Sequence, residues 1–349
     1  MAVGALSALR GGMADDSVKL EDIARLANVS VATVSRALND SPLVKPDTKR
    51  LIWKLAREHR YPFRPSMPTA PLGSSATIAI VITRPQGRTE RMSDPFLMQL
   101  IAGIGDAARE QDCDFTISHV APRNFDDLSS IMETSRSDGV IFIGQGDLFA
   151  QFNRLADTHA GRFVVWGARF EDQHYCSVGS DNLRGGHRAT AHLLRLGRRR
   201  PIFLGDTEAP EVAQRLAGYR RAMEEAGAPV DPGLIVPAHF DIEFSEAAVD
   251  TLLARRFDFD GVVAASDMIA LGAIRALTRG GLRVPQDISV VGYDDVQFAR
   301  YSHPALSTVA QDTGRAGRLM VSKLLQQGGG RPRSERIPTD LIVRESCGG

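Results

Sequence analysis

From Thr77 onward the chain alternates short apolar runs with segments of helical periodicity, and this alternation limits its possible folds more than any other feature. Such an alternation is typical of βαβ units, in which helices cover both faces of a parallel sheet. The candidate strands are Ile78–Ile82, Phe115–Ser118, Val140–Ile143, Phe163–Trp166, Ile202–Leu204, Gly261–Ala265 and Ser289–Gly292. The candidate helices are Pro95–Glu110, Asn182–Leu196, Val212–Ala226, Ser245–Ala254 and Met268–Arg279. The pattern predicts an α/β body with doubly wound parallel sheets, which bind ligands at the carboxyl ends of their strands.

A different pattern precedes the body, between Val18 and Asn39. One apolar helix face is formed by Leu20, Ile23, Ala24 and Ala27, and the sequence Asn28-Val29-Ser30 then interrupts it. Ser30 is a suitable N-cap for a second helix, whose inward side is formed by Val31, Val34 and Leu38. The stretch therefore predicts two short helices joined by a tight turn.

The opposite side of the second helix carries Ala32, Arg36 and Asn39. A small residue beside a fork-shaped donor suits a helix that lies deep in the major groove, where Arg can bond both acceptors of a guanine edge. Periodicity alone favours a simpler interpretation, a surface helical hairpin in which Arg36 is solvated.

Charge is distributed unevenly along the chain. The 349 residues carry a formal net charge of zero, but Ser17 to Arg64 contain ten basic and five acidic residues. This segment is therefore about +5 and the remainder about −5. Such asymmetry is expected of a basic nucleic-acid-binding module attached to a neutral or acidic body.

A long motif decides between the two interpretations of the helices: Asp22-Ile23-Ala24, Val29-Ser30, Thr33-Val34-Ser35-Arg36 and Leu38-Asn39. It resembles the DNA-binding head of the LacI/GalR repressor family. The resemblance implies base-edge contacts by residues Val31, Ala32 and Arg36. It also implies phosphate proximity for Ser30, Thr33, Ser35 and Asn39, contacts that position the protein without specifying sequence.

The segments around this motif complete a head and a linker. Pro46 and Asp47 begin a third helix that runs to about Arg60, with an inward side of Leu51, Ile52, Leu55 and Ala56. Residues 18–61 are thus predicted to form a helix-turn-helix domain, and residues 1–17 a disordered arm. Residues 62–76 carry Pro62, Pro65, Pro68 and Pro71, which favour an extended hinge linker. Here the chain departs from the family, most of whose members carry a short DNA-kinking helix at this point.

The body resembles the same family and periplasmic sugar-binding proteins. The matching landmarks include Asp138-Gly139-Val140-Ile141, Val178-Gly179-Ser180-Asp181-Asn182, Arg215-Leu216-Ala217-Gly218-Tyr219 and Val291-Gly292-Tyr293-Asp294-Asp295. The resemblance implies an effector-binding and dimerisation domain over residues 77–346, made of two lobes joined by three crossovers. The first lobe is expected at about 77–178 and 308–337, and the second at about 179–307 and 338–346.

The resemblance also implies an effector site between the lobes. Asp294 matches the carboxylate that bonds effector hydroxyls, and Arg215 matches the bidentate donor of the second lobe. The other expected contacts are Phe96, Leu97, Trp166, Phe240 and Asp267. Carboxylate, guanidinium and aromatic groups together suit a neutral polyhydroxylated ring, a mono- or disaccharide, with a purine as the alternative and a phosphorylated ligand disfavoured.

Catalytic and cofactor motifs find little support in the sequence. Gly103-Ile104-Gly105 and Gly144-Gln145-Gly146 lack the remaining spacing of a dinucleotide fingerprint, and there is no phosphate-loop lysine motif or nucleophile elbow. His187 and His192 lack the spacing of a metal cluster. The three cysteines suit free thiols in a reducing cytoplasm, and no run reaches the length of a membrane-spanning helix.

The sequence therefore predicts a cytoplasmic, non-enzymatic DNA-binding transcriptional regulator, most simply a repressor of carbohydrate utilisation genes. A homodimer is expected, because the apolar residues of the helix Pro95–Glu110 exceed what one lobe needs and the family places this helix at the dimer interface. Its partners would be double-stranded operator DNA and a sugar effector. The alternative is a sugar-binding or enzymatic α/β protein whose N-terminal helices are incidental.

Overall fold

The computed structural model consists of two units, residues 1–74 and 75–349. It describes residues 19–38, 43–45, 48–49, 51–52, 55–56, 59, 76–83, 93–135, 137–228, 230–325 and 333–348. The expected arm at 1–17, residues 62–75 of the expected linker, and Asn39 lie outside the described residues.

The first unit contains the predicted helix pair, α1 (Leu20–Ala27) and α2 (Val31–Leu38). Asn28 ends α1 in the left-handed region at φ 52°, and the Ser30 hydroxyl accepts a hydrogen bond from the Thr33 N–H at 3.1 Å. The predicted N-cap of α2 is therefore confirmed. Residues 48–49, 51–52 and 55–56 are helical, as the third-helix prediction requires.

Two inward positions in this unit were wrongly predicted. Val31 is 42% exposed, and Ala37 takes the inward position in its place. Leu51 is 47% exposed, whereas Ile52 and Ala56 are fully buried. The small core packs these residues with Ile23, Ala24, Ala27, Val34, Leu38 and Val44.

The second unit contains two six-stranded sheets. The first has the order β11-β5-β4-β3-β1-β2 and is parallel throughout. Its strands are β1 (Thr77–Thr83), β2 (Asp114–Val120), β3 (Gly139–Ile143), β4 (Phe163–Trp166), β5 (Ser177–Ser180) and β11 (Glu335–Ile337). Its helices are α3 (Pro95–Glu110), α4 (Phe125–Thr134), α5 (Phe149–Thr158) and α11 (Thr313–Leu325).

The second sheet has the order β12-β10-β9-β8-β6-β7, in which only the β10–β12 pair is antiparallel. Its strands are β6 (Pro201–Leu204), β7 (Ile235–Val236), β8 (Gly261–Ala264), β9 (Ser289–Asp294), β10 (Ser307–Ala310) and β12 (Asp340–Ile342). Its helices are α6 (Asn182–Arg195), α7 (Pro210–Glu225), α8 (Ile242–Ala254), α9 (Asp267–Arg279) and the short α10 (Gln297–Tyr301). The continuous apolar runs of β3, β8 and β9 are fully buried, as strands covered on both faces require.

The chain crosses between the two sheets three times. The crossings follow β5, β10 and β11, and the Asp181 N–H donates to the Ile337 carbonyl oxygen at 2.9 Å to join the first crossing to the third. Two expected lobe boundaries are corrected by strand pairing. Ser180 ends a strand of the first sheet, and Ala310 pairs in the second sheet, so each crossing comes two or three residues later than expected.

The apolar residues that suggested a dimer surface on helix α3 are mostly buried within their own lobe, although Met98 is 39% exposed. Leu100, Ile101 and Ile104 are buried in the core of their own lobe. Gly103 lies so close to α11 that a Cβ there would be 2.5 Å from the Thr313 carbonyl oxygen. The small residues of α3 therefore permit close packing within the lobe, and these buried residues are not available to a dimer interface.

Candidate DNA-binding and effector-binding sites

The outward surface of α2 contains the described residues that the sequence assigned to DNA. Ser30, Val31, Ala32 and Arg36 are exposed, and Thr33 and Ser35 are partly exposed. Positions 31, 32, 35 and 36 share one side of the helix, opposite buried Val34 and Ala37. The Ser30 and Thr33 hydroxyls lie 2.8 Å apart and are fixed by the N-cap. This surface has the small, polar and cationic residues that a groove-reading helix needs.

The candidate effector site centres on an ion pair at the carboxyl edge of the second sheet. The Arg215 guanidinium lies 4.0 Å from an Asp294 carboxylate oxygen, and both side chains are 7% exposed. Arg215 projects from α7, whereas Asp294 ends β9. The carboxylate and the donor fork that the sequence assigned to the effector are therefore brought together within the second lobe.

Three further contacts hold the Arg215 side chain. Its Nε donates to the Asn182 side-chain oxygen at 2.9 Å, and one Nη donates to the Ala265 carbonyl oxygen. Its Cζ lies 3.7 Å from the centre of the Tyr293 ring, within the range of a cation–π interaction. These contacts leave the guanidinium little freedom, so a ligand would meet a preformed donor.

Asp294 is held by a side chain that the sequence reasoning missed. Gln311, in the second crossing, donates from its Nε2 to an Asp294 carboxylate oxygen at 2.7 Å. The Gln311 side-chain oxygen accepts a hydrogen bond from the Ser180 hydroxyl at 2.5 Å, at the end of β5 where the first crossing begins. A single amide therefore joins the candidate effector carboxylate to two of the three crossings. The position of Gln311 directly after a parallel strand was the available signal.

The turn that carries Asp294 has an unusual backbone. Asp294 and Asp295 have φ values of 120° and 55°, a region that residues other than glycine rarely adopt. Each such residue costs on the order of 1–3 kcal/mol, which the surrounding contacts must offset. Strain of this kind is common at ligand-binding sites.

Asp267, which was expected to contact the effector, is instead buried and supports this turn. It is fully buried, and its two oxygens accept hydrogen bonds from the Thr308 hydroxyl at 2.5 Å and the Val296 N–H at 2.9 Å. Burial raises the pKa of Asp267 to about 7, and those two donors oppose the rise. Asp267 therefore fixes the backbone directly after Asp295, and it holds the Thr308 hydroxyl that accepts the Asp295 N–H at 3.3 Å.

The electrostatic environment of the site is acidic. Burial raises the pKa of Asp294 well above its ordinary value, Arg215 opposes this rise, and the carboxylates of Asp267 and Asp94 add to it. Asp94 is the N-cap of α3, where it accepts the Leu97 N–H at 2.8 Å, and burial raises its pKa as well. The excess of carboxylates over guanidinium groups disfavours an anionic ligand.

The expected aromatic contacts are divided between the lobes. Phe96 and Trp166 form one apolar group in the first lobe, with ring centres 6.0 Å apart, and Leu97 packs against the same core. Phe240 lies in the loop after β7 and packs on the core of the second lobe. The two lobes thus each present aromatic surface near the carboxyl ends of their strands.

The histidines and cysteines of the described residues form no recognisable metal or disulfide site. His187 contacts a Glu225 carboxylate at 2.7 Å, and His192 contacts the Cys347 sulfur at 3.2 Å. No group of three potential metal ligands occurs among the described residues, and none of the three cysteines forms a disulfide. No described helix has both the length and the apolar character to cross a bilayer.

A helix-turn-helix unit together with a two-lobed, ligand-binding body defines a class of protein, the effector-controlled DNA-binding regulators. Two family models match the chain: "Bacterial regulatory proteins, lacI family" over residues 19–63 and "Periplasmic binding protein-like domain" over residues 190–347. The chain belongs to the LacI family of bacterial transcriptional regulators.

Individual relatives match along nearly the whole chain. The HTH-type transcriptional regulator CelR of Thermobifida fusca is 32% identical over 337 residues, covering 94% of this chain and 97% of the relative. The ribose operon repressor of Haemophilus influenzae is 30% identical over 312 residues, covering 88% of this chain and 91% of the relative. The solved structure of a CelR–cellobiose complex is 30% identical, with a TM-score of 0.68 and coverage of 94% and 99%. These matches confirm the predicted family and fold.

Proposed function

We propose that the protein is a homodimeric repressor of carbohydrate utilisation genes, released from or recruited to its operator by a mono- or disaccharide bound between its lobes. The observation that carries this proposal is the buried Arg215–Asp294 pair, connected through Gln311 to the crossings between the lobes. It lies at the carboxyl edge of a parallel sheet, where folds of this kind bind their ligands.

The chemistry of the pair favours a sugar. An ionised Asp294 offers only acceptors and Arg215 offers only donors, so adjacent ring hydroxyls can satisfy both. Phe96 and Trp166 supply an apolar surface for the face of a sugar ring. The relatives point in the same direction, since one is named as a ribose operon repressor and another was solved with cellobiose.

The bond between Asp294 and Gln311 provides a route from effector to lobes. A hydroxyl bound to the carboxylate competes with the Gln311 amide, and Gln311 also holds Ser180. An effector that displaces this amide would favour an arrangement of the crossings in which the bond is broken, and such a difference in affinity is the condition for a ligand to shift a conformational equilibrium.

DNA recognition is assigned to the exposed side of α2. Val31, Ala32 and Arg36 would read base edges in the major groove, whereas Ser30, Thr33 and Ser35 would contact phosphates. Because Asn39 lies outside the described residues, its assignment rests on the motif alone.

A dimer is supported by the exposed edge of the first sheet. Strand β2 is exposed along nearly its whole length and carries Phe115 and Ile117, which are 41% and 44% exposed. An apolar edge strand of this length is a ready surface for pairing with another chain. The protein would act in the cytoplasm, and no catalytic step is part of the proposal.

The test combines a sugar panel with operator binding. The expected result is that at least one mono- or disaccharide raises the melting temperature and changes the affinity for the operator, which is first obtained by sequencing the DNA that the purified protein selects. Light scattering should give the mass of a dimer. Failure of every sugar in both assays would contradict the sugar assignment, and a monomer or tetramer would contradict the assembly.

A further inference from the structure

The segment after β12 contributes one side chain to the turn that carries Asp294. The Arg344 guanidinium donates from one Nη to a carboxylate oxygen of Asp295 at 2.5 Å, and from the other Nη to the Leu306 carbonyl oxygen at 2.7 Å. Asp295 and Leu306 are the two ends of the connection from β9 to β10, which contains α10. The Arg344 and Asp295 side chains are 13% and 17% exposed. A single, mostly buried guanidinium therefore closes this connection at its base.

The main chain around Arg344 is held by contacts that do not involve its side chain. The Arg344 N–H donates to the Ser307 hydroxyl at 2.8 Å. The Ser346 hydroxyl accepts the Ser307 N–H at 2.8 Å and donates to the Val290 carbonyl oxygen at 2.7 Å. Removal of the guanidinium should therefore leave this segment in place and release only the connection that the guanidinium closes.

The Asp295 side chain depends on Arg344 more than on its other charged neighbour. The nearest Arg300 nitrogen lies 4.0 Å from the second Asp295 oxygen, which is too far for a hydrogen bond, and the Arg300 side chain is 67% exposed. Among the described residues, Arg344 is the one whose side chain hydrogen-bonds this carboxylate. The turn needs such a restraint, because Asp294 and Asp295 have positive φ values that residues other than glycine rarely adopt.

We propose that Arg344 is a positioning residue of the effector site: through Asp295 it keeps the strained turn, and with it the Asp294 carboxylate, in the conformation that binds the effector. This inference rests on the proposed function, because it concerns the affinity for that effector. With the guanidinium in place, a ligand meets an acceptor that is already positioned. Without it the turn relaxes, and every binding event must restore the strained conformation.

The experiment measures sugar affinity and exchange of backbone amides on the full-length protein. Calorimetry uses cellobiose, maltose, glucose, galactose and ribose, and continues with the sugar that the wild type binds. Arg344→Met keeps the aliphatic stem but removes the guanidinium, and should raise the Kd for that sugar about tenfold. Arg344→Lys restores a cation that can bond Asp295 and should recover most of the affinity.

Hydrogen exchange without sugar separates loss of positioning from general loss of stability. In Arg344→Met, peptides that cover residues 294–299 should exchange about tenfold faster than in the wild type, because the turn opens locally. Peptides that cover β6 should exchange at the wild-type rate. A merely structural role would instead speed exchange throughout the second sheet.

Two further variants supply the controls. Arg300→Met makes the same chemical change at an exposed side chain beside the same carboxylate, and should leave sugar affinity and exchange unchanged. Asp295→Asn removes the charge that Arg344 binds and should itself raise the Kd at least about threefold, so it carries the test if Arg344→Met does not fold. In the Asp295→Asn background, Arg344→Met should have an effect of only about threefold or less, since the two residues act as a pair.

The outcomes distinguish this inference from the proposed function. It is overturned if folded Arg344→Met keeps the wild-type Kd or the wild-type exchange of the turn, or if Arg300→Met weakens sugar binding equally. A full tenfold effect of Arg344→Met in the Asp295→Asn background also overturns it. Each of these results leaves the sugar-responsive function standing. If no sugar of the panel binds the folded wild type, the sugar effector is overturned and this inference with it.

Discussion

Replacement of Asp294 with Asn tests the candidate effector site with the least change in shape. The substitution keeps the side-chain volume but removes the charge and turns one acceptor oxygen into a donor. Apart from glycine, Asn is the neutral residue that best tolerates the positive φ of 120° at this position. Arg215 remains held by Asn182, the Ala265 carbonyl and the Tyr293 ring, so the donor fork should stay in place.

Two opposing terms determine how far the stability of the variant falls below that of the wild type. At 4.0 Å, the Arg215–Asp294 attraction is worth about 4 kcal/mol for an effective dielectric constant of about 20. Removing the charge forfeits this attraction but also removes the cost of burying a carboxylate, the cost that raises the Asp294 pKa. Because Arg215 is left buried without its counter-charge, and breaking a buried pair in this way costs about 3–5 kcal/mol, the free energy of unfolding should fall by about 3 kcal/mol.

Sugar affinity, by contrast, should fall sharply. Hydrogen bonds to a charged group contribute roughly 1.5–3 kcal/mol each. A carboxylate can accept hydrogen bonds from two sugar hydroxyls, whereas the Asn amide can accept one with its oxygen and its NH2 group cannot accept the second. A loss of about 3 kcal/mol corresponds to at least about a hundredfold higher Kd.

The assay uses the sugar that stabilises the wild type. Calorimetry gives its Kd, and fluorescence anisotropy gives operator affinity with and without the sugar. The Asp294→Asn protein should bind the operator as the wild type does and show no sugar response. As a control, Asp258→Asn makes the same chemical change at an exposed carboxylate paired with Arg200 and should match the wild type in both assays. The reasoning is refuted if Asp294→Asn retains wild-type sugar affinity, or if it loses sugar affinity only because it is unfolded at the assay temperature.

Three further predictions concern the head, the crossings and the core. Arg36→Ala should cost about 1–3 kcal/mol on the specific operator and relax base preference at one position, whereas Lys49→Ala should weaken binding evenly across sequences; unchanged base preference for Arg36→Ala in a selection assay would contradict the docking. Gln311→Met removes the amide that links effector carboxylate to crossings, so calorimetry should still detect sugar binding while the sugar-induced change in operator affinity is lost; a full operator response would rule out this route. Gly218→Ala places a methyl group against the Leu183 carbonyl between two tightly packed helices and should reduce the free energy of unfolding in urea by about 3 kcal/mol, and a wild-type midpoint would refute this.

Local sequence determined most of the secondary structure and the family. The strand Phe163–Trp166 and the helix Pro95–Glu110 were predicted with the bounds that the structure shows. Apolar runs and helical spacing are local properties, so a sequence window contains all the information that they need. The N-cap at Ser30 is local in the same sense, since its hydroxyl bonds a backbone N–H three residues away.

Which side of an element is buried was decided by tertiary packing. Val31 and Leu51 have apolar side chains but are exposed, because neighbouring Ala37 and Ile52 fill the small core of the head. The buried side of α3 likewise packs against α11, which lies about two hundred residues further along the chain. Helical periodicity predicts which face of a helix is apolar, but only the tertiary structure determines whether a neighbouring element covers that face.

The candidate effector site depended most on the tertiary structure. Arg215 and Asp294 are 79 residues apart, and only the order of the parallel strands brings them to 4.0 Å. Asp267 was expected to contact the effector, yet Thr308 and Val296 enclose it. Gln311 had no motif to indicate its role, because its contacts exist only where separate crossings meet. The sequence determines the charge and the hydrogen-bonding groups of each side chain, whereas the strand order and the crossings determine which side chains lie together in the site.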